Sequence, residues 1–257
     1  DPLDLDGVRA AMTDRTRLVF VETIGNPKLD VPDVPALAEI AHAAGVPLLV
    51  DSTVTTPYLA TGAQLGADLL AYSTSKYING TGTTIGGAII DRGVFDWDNG
   101  KFPHFGEFHK RFKPFAFTAR ARKRVHRDLG GCAAPFNSFL LTEGLQTLAL
   151  RMDRHCANAR ALAESLRGQP GVAWVNHPGL GDSPHRAVVE RLYGGRGGGL
   201  LTFGVGGKTE AFRVLNRLKL AKILASIGDA KTLAIHPGST ICADYSDEEK
   251  ARLGAAD

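Results

Sequence analysis

The residues best placed to do chemistry lie between 47 and 77, in the stretch PLLVDSTVTTPYLATGAQLGADLLAYSTSKY. Asp51 closes the apolar run Pro47 to Val50, and Ser73, Thr74, Ser75 and Lys76 close the run Leu69 to Tyr72. Both runs are predicted to be short buried strands whose polar residues stand at the carboxyl ends, where open α/β sheets bind ligands. A carboxylate, two or three hydroxyls and one amine would then converge on one sheet edge. Pyridoxal phosphate requires that set: an amine for a Schiff base with its aldehyde, an acid to keep its pyridine nitrogen protonated, and hydroxyl and N–H donors for its phosphate. Lys76, Asp51, and Ser73 with Ser75 fill those places in turn. Alone, a lysine after a strand is ordinarily a solvated surface residue, and an Asp at a strand end is often a cap or a turn former. Only the combination points to the cofactor.

The elements that must position these groups follow from hydrophobic pattern. Leu18 to Glu22 is apolar enough for a strand covered on both faces. Thr23 to Pro27 breaks it, and on its own Gly25-Asn26-Pro27 reads as a turn. Val34, Leu37, Ile40, Ala41 and Ala44 recur at helical spacing between a cap at Asp33 and a stop at Gly45, which makes strand, helix and the strand from Pro47 one βαβ unit. Leu59 to Leu65 is predicted to be a helical link, Ala67 to Tyr72 the next strand, and Ile85 to Asp91 a returning strand. Glycines 80, 82, 86 and 87 follow the lysine with spacing G-x-G-x-x-x-G. That is not a dinucleotide fingerprint, and the expectation is backbone passing close to a bulky cofactor.

Outside this core, Asp1 to Arg17 reads as a helix-and-turn segment without a partner. Phe95 to Phe117 is loop-like and aromatic, for which local packing is the expected role, and Arg120 to Arg127 is a basic run expected to be a solvated helix face or linker. Pro135 to Arg167 is predicted to be long and helical, with Phe139, Leu140, Leu145, Leu148 and Met152, then Ala159, Leu162 and Leu166, on its apolar side. Strands near 172–175, 200–205, 223–226 and 232–235 alternate with helices near 184–193 and 209–218. The expected organisation is a partial large α/β domain over 1–133 and a smaller α/β domain over 134–257, joined by the long helix.

Composition excludes several classes. With 44% hydrophobic residues and a formal charge of +3, the 257-residue chain is expected to be an ordinary globular protein with no reason to bind nucleic acid or an anionic membrane. No apolar run approaches the roughly 20 residues that span a bilayer, and DPLDLDG is not a signal peptide, so a cytoplasmic location is the default. Cys132, Cys156 and Cys242 are too scattered for a disulfide framework or a zinc site, and the eight histidines lack metal-binding spacing, so no metal is expected.

DSTVTTPYL, LGAD, STSKY and GTGTTIGG together resemble the central signature of the Cys/Met-metabolism family of pyridoxal-phosphate enzymes. Within it, ETIGNP, DRGVFDW and GDAKTLAIHPGST are most similar to the O-acetylhomoserine sulfhydrylases, and the likeness runs from about Leu18 to about Glu249. The resemblance implies the type I fold of pyridoxal-phosphate transferases, a homotetramer, and replacement of the γ-acetoxy group of O-acetylhomoserine by sulfide or methanethiol. A cystathionine γ-synthase or γ-lyase activity is the nearer alternative, and a non-catalytic α/β domain the more distant one. It also implies that Asn26 sits beside the cofactor ring and substrate, that Thr53 belongs to the cofactor site, and that Ser226 stands near the substrate carboxylate, where sulfhydrylases more usually have Asn. STIC at 239–242 departs from the more usual Thr-Thr-His ending. The family's ring-stacking tyrosine and carboxylate-binding arginine fall outside this sequence, which is therefore expected to be a fragment.

Overall fold

The computed structural model describes residues 1–255, and its centre is a four-stranded sheet in chain order. β1 (Val19–Glu22), β2 (Leu48–Asp51) and β3 (Leu69–Ser73) run parallel, and β4 (Gly87–Asp91) returns antiparallel to β3. The parallel register pairs Glu22 with Asp51 and Asp51 with Ala71, so the carboxyl ends of the three strands lie side by side. α1 (Leu5–Ala11) precedes β1, and α2 (Val34–Ala43) makes the crossover to β2. The Asp33 side chain accepts from Ala36 N at 3.3 Å, and Gly45 ends the helix with φ 68, as the sequence predicts. Leu37, Ala41, Val46, Leu48, Val50 and Leu65 are buried in one core, and each fully buried Leu or Val there contributes about 1.5–3 kcal/mol of transfer free energy.

Several expectations are corrected. The amino-terminal segment has a partner, because Leu5, Val8 and Met12 pack against this core. β1 is covered on one face only: Val21 is buried while Phe20, on the opposite face, is 57% exposed, since nothing among the described residues packs over it. The link between β2 and β3 is two separate turns, α3 (Thr56–Leu59) and α4 (Gly62–Leu65). Ala60 is extended, and Thr61 starts afresh with a reciprocal cap in which its hydroxyl accepts from Gln64 N and Gln64 Oε1 accepts from Thr61 N.

The aromatic stretch is mostly helical, comprising α5 (Gly106–Phe112) and α6 (Ala116–Arg120). Its rings do pack locally: Trp97 stacks on Phe105 and Phe117 and meets Phe95 and Phe102 edge-on, in a cluster that also holds Leu69 of β3. A helical turn over 121–126 and α7 (Arg127–Leu129) carry the basic run, which is solvated as expected. The long helix is broken at Thr147 into α8 (Pro135–Gln146) and α9 (Leu148–Leu166). Leu148, Met152 and Ala159 of α9 are buried, but Phe139 and Leu145 of α8 are exposed. α8 approaches the chain through Gly144, where a Cβ would stand 2.4 Å from the Ile78 carbonyl oxygen.

Beyond α9, β5 (Trp174–Asn176) pairs antiparallel with β6 (Thr202–Gly204), and the two-residue strands β7 (Lys222–Ile223) and β8 (Leu233–Ala234) pair parallel. α10 (Arg186–Tyr193), α11 (Lys208–Arg217) and α12 (Asp247–Arg252) complete the order. Val189, Leu192 and Tyr193 of α10 join the same core as β1 and β2, and the Tyr193 hydroxyl donates to the Thr23 carbonyl at 3.2 Å, just past the end of β1. Among the described residues no helix is long and apolar enough to cross a membrane.

Candidate active site

A cavity of about 140 Å³ opens at the carboxyl ends of β1, β2 and β3, lined by Glu22, Ile24, Asn26, Asp51, Thr53, Val54, Ser73 and Ile227. Four of the seven expected site residues, Asn26, Asp51, Thr53 and Ser73, therefore share one wall. Asp51 ends β2, and one of its carboxylate oxygens accepts from Thr53 N at 2.8 Å. That bond is a short Asx turn, which starts the chain away from the sheet and leaves the second carboxylate oxygen without a partner among the described residues. The Thr53 hydroxyl then accepts from Ser73 N at 2.8 Å. Behind them Thr55 donates to Thr23 at 3.0 Å, both fully buried, which ties the loops after β1 and β2 together.

Lys76 stands three residues past Ser73, where a helical turn over Thr74–Ile78 is broken by the lysine's own backbone angles (φ −92, ψ −125). It is half-buried and its amine makes no hydrogen bond or ion pair among the described residues. It is not on the cavity wall, and neither are Ser75 and Ser226. The Ser75 hydroxyl is engaged by the backbone, donating to the Gly86 carbonyl at 3.3 Å and accepting from Gly86 N at 3.0 Å. Ser226 immediately precedes Ile227, which does line the cavity.

Comparison with known proteins decides what this edge belongs to. The model of the Cys/Met metabolism PLP-dependent enzymes matches residues 1–257. The chain belongs to that family. It is 41% identical to an O-acetyl-L-homoserine sulfhydrylase of Leptospira meyeri and 44% identical to a homocysteine synthase of Schizosaccharomyces pombe, each over 99% of this chain and 62% of the relative. This family chain thus spans about three-fifths of those relatives' length. A crystal structure described as an O-acetylhomoserine (thiol)-lyase of Campylobacter jejuni, holding a pyridoxyl-lysine phosphate, superposes with a TM-score of 0.94 at 31% identity, covering 100% of this chain and 64% of that one. The O-acetylhomoserine sulfhydrylase of Wolinella succinogenes superposes at 0.84 with 40% identity, covering 92% and 68%. The fold is accordingly the type I fold of pyridoxal-phosphate enzymes.

The residues present fit the family's cofactor on the evidence of their own bonding. Asp51 offers an unpaired acceptor oxygen, and neither the Ser73 hydroxyl nor the Asn26 amide has a side-chain partner among the described residues. Glu22 is the residue that sequence reasoning missed. It pairs in register with Asp51, and burial first, then the Asp51 charge, raise its pKa, with the Asn26 backbone N–H pulling the other way. The signal was available in ETIGNP, since two strands that end level bring their last residues together.

The glycines after Lys76 also pack closely against the protein's own groups. A Cβ at Gly80 would lie 2.4 Å from an Arg151 nitrogen, at Gly82 3.3 Å from Asp229, and at Gly86 2.7 Å from the Thr74 hydroxyl. At these three positions the absence of a side chain makes room for neighbouring side chains. A larger cavity of about 220 Å³ lies away from this edge, lined by Glu107, Phe108, Arg111, Lys123, Arg124 and Arg127 among others. It holds charge but no group matched to the site's chemistry. Among the described residues no group of three or more His, Cys, Asp or Glu is arranged to hold a metal ion.

Proposed function

We propose that this chain is the catalytic portion of an enzyme that replaces the γ-acetoxy group of O-acetylhomoserine with sulfide, giving homocysteine and acetate, with methanethiol as a second donor giving methionine. The observation that carries this reading is the cavity at the strand ends, where Asp51, Ser73, Thr53 and Asn26 meet beside the turn bearing the unpaired Lys76 amine. The names of the relatives support the substrate, since they include O-acetylhomoserine sulfhydrylases and a homocysteine synthase.

Bound pyridoxal phosphate supplies an aldehyde for the amino group and a conjugated ring that withdraws electrons from the α-carbon. Lys76 Nζ would hold the cofactor, and the same amine, when free, would take the α-proton and return protons to the substrate chain. The unpaired Asp51 oxygen accepts the ring N–H and keeps that nitrogen cationic. Ser73, with Ser75 wherever its Gly86 bonds yield, binds phosphate oxygens, Thr53 orients Ser73, Asn26 lies against ring and substrate, and Ser226 against the substrate carboxylate. A homotetramer in the cytoplasm belongs to the same proposal. Its support is the outward apolar side of α8 and α9, where Phe136, Phe139 and Leu150 stand open to solvent.

Two measurements test the reading. Mixing the chain with pyridoxal phosphate is expected to give a visible absorbance band that Lys76→Ala abolishes, and a wild-type chain that stays colourless sinks the enzyme reading. Acetate and homocysteine from O-acetylhomoserine and sulfide support replacement, whereas ammonia and 2-oxobutanoate would assign a lyase.

A further inference from the structure

We propose that Arg151 is the positioning residue for Lys76, its guanidinium clamping the backbone that follows the lysine so that the amine is held toward the cofactor cavity. The inference rests on the role proposed for Lys76 above. Arg151 lies on α9, more than seventy positions along the chain, and spends its donors almost entirely on main-chain carbonyls. Nη1 donates to the Tyr77 carbonyl at 2.5 Å, and Nη2 to the Gly144 carbonyl at 2.7 Å and the Ile78 carbonyl at 3.3 Å. Nε donates to the Thr147 hydroxyl at 3.0 Å, which braces the fork. The Tyr77 and Ile78 carbonyls have no other donor among the described residues, while that of Gly144 also accepts from Thr147 N and Oγ1, each at 3.4 Å. The helical turn is broken at Lys76, which leaves the Tyr77 and Ile78 carbonyls at an interrupted end, and α8 ends close by at Gln146.

No carboxylate pairs with the guanidinium among the described residues, although burial depresses its pKa. A half-buried cation without a counter-ion is held by its hydrogen bonds, and a planar fork spreads its fixed donors over three carbonyls. The neighbouring glycines fit the same reading. A side chain at Gly80 would collide with Nη1. Gly228 also lies so close to Tyr77 that a Cβ would come within 2.5–2.8 Å of its atoms, and Ala230 N donates to the Gly80 carbonyl at 2.8 Å. Residues 77–80 are thus held both by α9 and by the loop that carries Ser226 and the cavity-lining Ile227. Arg151 thereby ties the amine to the wall it must reach.

The test uses Arg151→Met and Arg151→Lys in the whole chain with two readouts. One is amide hydrogen exchange at residues 77–80, with β1 as internal control. The other is the rate at which pyridoxal phosphate followed by borohydride labels Lys76, measured by peptide mass against exposed Lys219. We expect exchange at 77–80 to rise at least tenfold in Arg151→Met with β1 unchanged, selective labelling of Lys76 to fall at least tenfold, and Arg151→Lys to fall between. Should Arg151→Met not fold, Arg151→Lys decides by the same measurements. Labelling of Lys76 at the wild-type rate in a folded variant overturns the proposal, as does unchanged exchange. If wild-type Lys76 is labelled no faster than Lys219, the enzyme reading fails, while the exchange measurement still passes judgement on the clamp.

Discussion

Thr53→Val isolates the bond that turns two strand ends into one wall. Parallel pairing of β2 with β3 ends at Asp51 and Ala71, and Ser52 N still reaches the Ala71 carbonyl at 3.0 Å. The next donor on that side of β3 is Ser73 N, and by then the chain after β2 has turned away. The Thr53 hydroxyl replaces the missing backbone carbonyl, accepting at 2.8 Å from a position only 9% exposed. Valine keeps the shape and deletes the acceptor, so the Ser73 amide loses its partner at a cost of about 1–3 kcal/mol. For a chain of this size each kcal/mol moves the melting midpoint by about 2–4 °C, which places the variant about 2–12 °C below wild type. Thr53→Ser keeps the hydroxyl and loses one methyl, worth about 0.8 kcal/mol, and should melt between them. Differential scanning calorimetry gives the order, and dialysis against pyridoxal phosphate gives the accompanying loss of cofactor affinity, expected to be several-fold for valine and slight for serine. A valine variant that melts with wild type and binds the cofactor equally would refute the reasoning.

Glu22 and the cysteines give two further expectations. Because burial, then Asp51, raise the Glu22 pKa above 4.5 in the folded state, its protonated form is the one that folding favours. Its contribution to stability is therefore present below pH 4.5 and lost as pH climbs through the higher folded value. Glu22→Gln should exceed wild type in urea at pH 7, by a margin that shrinks toward pH 4, and a margin independent of pH would remove the assignment. Cys132 is exposed while Cys156 and Cys242 are buried, and burial pushes Cys156 up to about 11. A thiol reagent at pH 8 should titrate one cysteine in the folded chain and three in denaturant; rapid titration of two or more would contradict the burial.

How much could be read in advance depended on how local each signal was. Asp33 and Gly45 bracket α2 because cap and stop act within one turn of the backbone, and they are right to within a residue. The strand ends at Asp51 and Ser73 were legible for the same reason, an apolar run meeting polar residues. The helices within 95–120 were not, since their sequence is rich in Phe with Pro103 and Pro114 interrupting any period, and what orders them is the stacking of Trp97 between distant rings. Arg151 gave no signal either. Its neighbours on α9, Leu148 and Met152, mark a buried face, but that a cation beside them serves carbonyls seventy positions away depends on packing that no window of sequence contains.

The register of the parallel strands explains why this site is both readable and fragile. Side chains alternate between faces along a strand, so Glu22 and Asp51, paired directly, emerge on the same face of the sheet at the same level. A slip of one residue between β1 and β2 would carry Asp51 to the opposite face and dissolve the cavity wall. What fixes the register lies below the site. Leu48 and Val50 are fully buried on one face of β2, and the buried Asp68 carboxylate accepts from Leu48 N at 2.7 Å and lies 2.8 Å from His42 Nε2 on α2. That carboxylate pins the start of β2 to both the crossover helix and the approach to β3. The alignment of chemistry at the carboxyl ends is therefore set by apolar burial and one buried acid at the amino ends, three residues away.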